Sequence, residues 1–210
     1  MLKKLSFPAR SLSLAVAICC TAGTALAHHL PPGMEEVDEF AETTFTAALA
    51  HPFTGADHWL AALAVGLMAC AWGRKAGYQA IAIFVVALTA GIVAGRSGFR
   101  LPLMESGLAA SVILAGVALA GARLFSSKAM LGLTACTGAW HGIAHGLEMP
   151  TTPAAGWFAC GLVLSSAGIA LAASAVVGFL PAPTHRTLQR WAGPSLATAG
   201  TALLIAVLAA

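Results

Sequence analysis

After a short N-terminal stretch, the chain alternates long apolar runs with brief polar breaks. Six runs, covering residues 53–73, 77–95, 103–124, 129–147, 154–180 and 191–210, are long enough to cross a bilayer at ~20 residues each. The breaks are Arg74-Lys75-Ala76, Arg96 to Pro102, Phe125 to Lys128, Glu148 to Pro153 and Pro181 to Arg190. This pattern predicts an all-α, polytopic membrane helix bundle with six transmembrane helices. Small residues spaced by four, such as Gly91/Gly95 and Gly107/Ser111/Ala115, allow close approach between neighbouring helices.

The stretch before the first run reads differently. Residues 1–27 have the layout of a cleaved signal peptide: Lys3, Lys4 and Arg10, then an apolar core from Ser11 to Gly23, then Ala25-Leu26-Ala27. Cleavage there leaves His28-His29 at the new terminus, an α-amine beside two imidazoles that could capture a metal ion. Residues 28–52 form an external acidic segment. Within it, Val37, Phe40, Ala41, Phe45, Ala48 and Leu49 share one helical face, while Glu35, Glu36, Asp38, Glu39 and Glu42 crowd its start. A short amphipathic helix on the outer surface fits that spacing, with its acids where a helix dipole favours them.

Composition sharpens the class. The chain is 59% hydrophobic and 9% charged, too little charge to cover a soluble domain, so residues 53–210 read as one transmembrane domain in a lipid bilayer. The net charge of +3 equals the three basic residues of the signal, because the eight remaining basic residues balance eight acidic ones. No nucleic-acid partner is implied. With the N-terminus outside, the inner loops hold Arg74, Lys75, Arg123, Lys128, Arg186 and Arg190, and the outer loops only Arg96 and Arg100. Both termini are therefore expected outside, in a bacterial cytoplasmic (inner) membrane with the N-terminus periplasmic. Cys70, Cys136 and Cys160 stand singly in apolar runs and read as packing residues, His185 as a solvated loop residue, and the tryptophans mostly as interfacial anchors.

Two polar clusters interrupt this apolar background. His51-Pro-Phe-Thr-Gly-Ala-Asp57-His58 opens the first run, and His141-Gly-Ile-Ala-His145-Gly-Leu-Glu148 closes the fourth. Asp at the centre of a span costs ~2.5–3.5 kcal/mol, and less near an end, so such groups persist mainly where they pair. His141, His145 and Glu148 fall on one helical face, and so do His51 and His58 if a helix starts near Pro52. Asp57 either ligates or orients an imidazole. Glu105, at the start of the third run, joins the same outer side or neutralises Arg96 or Arg100. Imidazole and carboxylate suit Ni(II), Co(II), Zn(II) or Mn(II), whereas Cu(I) favours sulfur; Met104 and Met149 flank the site, so copper is disfavoured but stays open. No nucleotide-binding loop is present, so transport would use the ion's own gradient or a coupled proton. Rival readings are an intramembrane zinc-dependent hydrolase using His, Asp and Ser106, a haem-binding subunit, and a purely structural subunit.

These clusters resemble the HupE/UreJ family of nickel/cobalt permeases over nearly the whole chain. The first pattern is His51-Pro52, Gly55, Asp57-His58, Leu60-Ala61 and Ala64-Val65-Gly66; the second is His141-Gly142, Ala144-His145-Gly146, Glu148 and Pro150. The resemblance implies secondary uptake of Ni(II) or Co(II) as transported substrate, no prosthetic group and no enzymatic activity. It also implies a functional link to nickel or cobalt enzymes, and it leaves room for a homo-oligomer. Carried over by position, His51, Asp57, His58, His141, His145 and Glu148 form the functional set. Two departures stand out: Leu49-Ala50 replaces the usual Gly-Phe, and segment 28–42 is acidic rather than Gly-rich.

Overall fold

The computed structural model describes residues 45–149 and 153–210. The signal peptide, His28, His29 and the acidic stretch through residue 44 lie outside the described residues. All regular elements among the described residues are helical: α1 (Phe45–Ala50), a 3-10 turn (His51–Phe53), α2 (Ala56–Ala71), α3 (Arg74–Arg96), α4 (Met104–Ala120), α5 (Ser127–Glu148), α6 (Ala155–Phe179) and α7 (Ala182–Ala209).

Helix α2 sits at the centre because it is apolar on nearly every side and has no face suited to water. Leu60, Ala64 and Met68 pack against Val112, Ala115 and Leu119 of α4 and Leu196, Ala199 and Leu203 of α7. Its other side, with Ala62, Val65 and Ala69, meets Ile81, Phe84 and Leu88 of α3 and Phe158 and Leu162 of α6. Outside this core, Val86, Val93, Leu114, Leu164, Val176, Ile205 and Leu208 are exposed, the kind of apolar perimeter that lipid accepts.

The most extensive helix pair is α3 with α5. The two run parallel, with contacts stepping together from Phe84/Gly138 through Leu88/Gly142 to Ile92/Gly146. A Cβ on Gly91 would stand 2.9 Å from Gly142 Cα, and one on Gly142 would intrude on the Leu88 carbonyl. The Gly91/Gly95 spacing thus finds its partner in Gly138, Gly142 and Gly146. Close backbone approach of this kind replaces the hydrophobic drive that lipid removes between membrane helices.

By length and apolarity α3, α6 and α7 could each cross a membrane, and α1 with the 3-10 turn and α2, bent by 81°, adds a fourth as a broken span. Helix α4 has 17 residues, and α5 is long enough but more polar. At ~1.5 Å per residue, α4 reaches ~25 Å against a ~30 Å hydrocarbon core.

Several expectations need correction. The first run is not one helix from Pro52, because Thr54 and the extended Gly55 separate the 3-10 turn from α2. Residues 182–190, expected as a loop, are the first turns of α7, which Pro183 starts without wasting a backbone donor. His185 is therefore helical and half-buried rather than solvated, and its Nε2 is buried. Arg74 and Lys75, also expected in a loop, begin α3; Gly73, at φ 87°, makes the turn before it. Cys136 and Cys160 are exposed, not packing residues, while Cys70 donates to the Ser174 carbonyl at 3.3 Å. Trp140 is no interfacial anchor: its Nε1 donates to Met104 O at 3.0 Å and its ring fills the space that Gly107 leaves.

Gly142→Ala should force α3 and α5 apart and lower stability by about 1–3 kcal/mol, the usual cost of overpacking. Gly132→Ala, where a Cβ meets nothing, should be neutral or stabilising by up to ~1 kcal/mol. Thermal unfolding of the detergent-purified protein checks the pair. Equal melting temperatures would contradict the packing described.

Candidate metal site

The glycine row of α5 fixes which way its histidines point. His141 and His145 each precede a seam glycine, so they lie ~100° around the helix from the contact with α3. That rotation turns both rings into the bundle, where His141 is 2% exposed and His145 3%.

The second cluster arrives by a different device. Helix α1 is pinned to α6: Ser165 Oγ donates to the Leu49 carbonyl at 2.7 Å, and a Cβ on Gly161 would stand 2.8 Å from Ala48 Cβ. The 3-10 turn then carries His51 back over the start of α2, held by Thr54, whose Oγ1 donates to His51 O at 2.7 Å. Gly55 caps α2 without a side chain; a Cβ there would stand 2.8 Å from His58 Cδ2 and 2.9 Å from Asp57 Oδ1. Asp57 lies in the first turn of α2, where the helix dipole favours a carboxylate.

Four imidazoles and one carboxylate therefore converge. His58 Nδ1 lies 3.2 Å from His141 Nδ1 and 3.3 Å from Asp57 Oδ2. The His58 ring is centred 4.2 Å from His145, 5.4 Å from His141 and 6.1 Å from His51, and His51 lies 5.2 Å from His145. Phe158 of α6 closes the far side of His51, ring centres 5.7 Å apart. Two three-residue sets result, His51/His58/His145 and Asp57/His58/His141, with the donor atoms of each within 4.8 Å of one another. Donors each ~2.1 Å from a shared ion can be at most ~4.2 Å apart, so only a slight contraction is needed.

The site also contains an orphan. His145 Nδ1 is buried with no hydrogen-bond partner among the described residues. An unsatisfied buried polar atom typically costs ~1–3 kcal/mol, and a cation accepting its lone pair would remove that cost.

Ser111 on α4 is the site residue that sequence reading missed as such. Its hydroxyl donates to Leu108 O at 2.7 Å, which leaves an oxygen lone pair to accept from His141 Nε2 at 3.0 Å. His141 then carries its proton on Nε2 and presents the Nδ1 lone pair toward His58. The only sequence signal was Ser111's place in the small-residue series with Gly107 and Ala115. Ser106, the serine considered for a hydrolase, makes no hydrogen bond to this cluster among the described residues; the serine that does is Ser111.

Of the residues singled out beforehand, His51, Asp57, His58, His141 and His145 come together. Glu148 ends α5 and Glu105 lies in the first turn of α4; both are exposed and belong to neither donor set. The expected shared helical face of His51 and His58 is replaced by the bend, which stacks their rings instead.

The chain matches the family described as HupE / UreJ protein over residues 16–203. It is 33% identical over 164 residues to Protein HupE of Rhizobium leguminosarum bv. viciae, covering 76% of this chain and 83% of that protein. No solved structure matches it.

Ser111→Ala removes the acceptor from a buried imidazole N–H and should lower stability by ~1–3 kcal/mol in a melt of the purified protein. Ser106→Ala serves as the comparison. An unaltered Ser111→Ala melt would refute the hydrogen bond described.

Proposed function

The chain belongs to the HupE/UreJ family, and from that premise we propose that it is a secondary transporter taking up Ni(II) or Co(II) across the cytoplasmic membrane. The observation that carries this reading is the convergence of four imidazoles and Asp57, from two sequence clusters, inside an apolar helix bundle. Membership also makes the chain a transporter and not an enzyme.

In this reading the six apolar runs all cross the membrane, both termini are outside, and the signal peptide is removed. A partly hydrated M(II) exchanges waters for His51, His58, His141 and His145, donors that suit first-row divalent ions. Asp57 offsets part of the incoming charge. The exposed Glu148 and Glu105 draw cations toward the site, as His28 and His29 do if they form the mature terminus. An inside-negative potential assists a divalent cation by ~4.6 kcal/mol per 100 mV, twice the single-charge value. Binding stays moderate, because an ion held too firmly cannot leave.

The zinc-hydrolase alternative is not favoured. Ser111, the hydroxyl at the site, gives its proton to a backbone carbonyl and leaves the imidazole to donate to it, the reverse of an activated nucleophile.

Two measurements test the reading. Proteoliposomes holding the purified full chain should accumulate Ni(II) or Co(II), and an inside-negative potential should accelerate the flux. Absence of flux for every divalent ion in a panel would refute transport. Within the same assay, His58→Ala should reduce flux at submicromolar supply at least ~100-fold, the upper range for loss of a metal-site partner. Wild-type flux in a correctly inserted His58→Ala protein would rule out an essential role for His58.

A further inference from the structure

The donor atoms group as two overlapping triads, and His58 alone belongs to both. His51 packs against His58, His145 and Phe158, whereas His141 packs against His58 and Ser111. His145 and His141 are four residues apart on α5, about 6 Å along the axis. His145 is nearer the helix end that carries the exposed Glu148, and His141 is nearer the middle of the bundle.

We propose that these triads are successive stations for one divalent cation, and that His58 passes the ion between them. The inference rests on the transport reading above and specifies how the site works within it. The ion is first held by His51, His58 and His145, the triad toward the end of α5. It then exchanges His51 and His145 for Asp57 and His141 while His58 remains a ligand throughout. In the empty site the His58 Nδ1 hydrogen faces the His141 Nδ1 lone pair, so the arrival of the ion at Nδ1 shifts that proton through solvent to Nε2 and His58 stays neutral. Between the stations only metal coordination changes, and the ion is never without a protein donor.

Three features favour this order. The orphaned Nδ1 of His145 belongs to a member of the first triad and needs a partner. Ser111 fixes the ring of His141 with Nδ1 toward His58, so the second triad is prepared before the ion arrives. Exchanging two imidazoles for one imidazole and a carboxylate adds a negative ligand, which offsets part of the ion's charge. A neutral imidazole offers a single lone pair, so His58 serves one ion at a time and the stations cannot both be filled.

The test uses the purified full chain with Co(II) alone, whose visible absorption reports donor number and type, alongside Co(II) flux in proteoliposomes. The wild type should bind one Co(II) per chain. His145→Ala and His141→Ala should each still bind one Co(II), with spectra that differ from each other, yet each should lose at least tenfold in flux. His58→Ala should lose both binding and flux. Should the alanine proteins fail to insert, His145→Gln and His141→Gln keep the volume and polarity while removing the imidazole. Asp57→Asn offers a second way to disable the second triad.

If either single variant loses binding as completely as His58→Ala, one four-histidine site replaces the two stations. Flux at the wild-type level in either variant, or two Co(II) bound per wild-type chain, would likewise overturn the handover. In all three cases wild-type flux persists and the transport reading survives. Absence of wild-type flux instead removes that reading, and the handover with it.

Discussion

The backbone contact between α3 and α5 sets the rotation on which the site depends. Membrane helices gain little from burying apolar side chains against each other, since lipid is equally apolar. What holds this pair is close packing along Gly91, Gly95, Gly138, Gly142 and Gly146, with carbonyls of one helix against Cα atoms of the other. A helix held by one narrow face has little freedom to roll. His141 and His145 are one residue removed from that face and therefore point at α2 and α4 rather than at lipid. A side chain larger than hydrogen in the glycine row would change the separation and the roll together, so packing and ligand geometry are one constraint.

The other half of the site depends on a break rather than a seam. A continuous helix through Pro52 would have set His51 and His58 two turns apart along one axis. The 81° bend folds the chain back, and α6 holds the short arm through Ser165 and Gly161. This brings His51 to the ring of His145 on α5, which a straight span could not do. Gly55 lies at the inside of the bend, where any Cβ would push on both Asp57 and His58. The His-Pro-x-x-Gly-x-Asp-His spacing thus describes a turn with His51, Asp57 and His58 arranged around it.

Much of this was legible in advance, for physical reasons. Apolar run lengths gave α3, α5 and α6 within a few residues, and the rarity of charge inside them made the two His-rich clusters conspicuous. The ends of elements were less legible. Pro183 and Gly73 shift helix starts into stretches that looked like loops, because polar residues at a membrane surface extend a helix as readily as they end it. Cys136, Cys160 and Trp140 were misread because an apolar run does not reveal which face meets lipid. Ser111 could not be identified as a site residue from spacing alone: its role depends on α4 meeting α5, and a serine among small residues looks like packing. Glu148 shares a helical face with His145 by spacing, but it is the last residue of α5 and its side chain is exposed.

The charge at the site constrains how firmly any cation can be held. Asp57 is the only carboxylate in the two donor sets among the described residues, and the remaining donors are imidazoles. A divalent ion bound there by neutral imidazoles and one carboxylate keeps a residual positive charge in weakly polar surroundings, where such charge is costly. A storage or catalytic site usually avoids that cost by adding carboxylates or thiolates. Here the two further acids singled out by the sequence, Glu105 and Glu148, are exposed and outside the sets. In the proposed transport role, imidazole nitrogens supply recognition, while the incomplete charge balance keeps the ion from settling. That combination suits a site through which ions pass, and adding a second acid beside Asp57 would turn it toward retention.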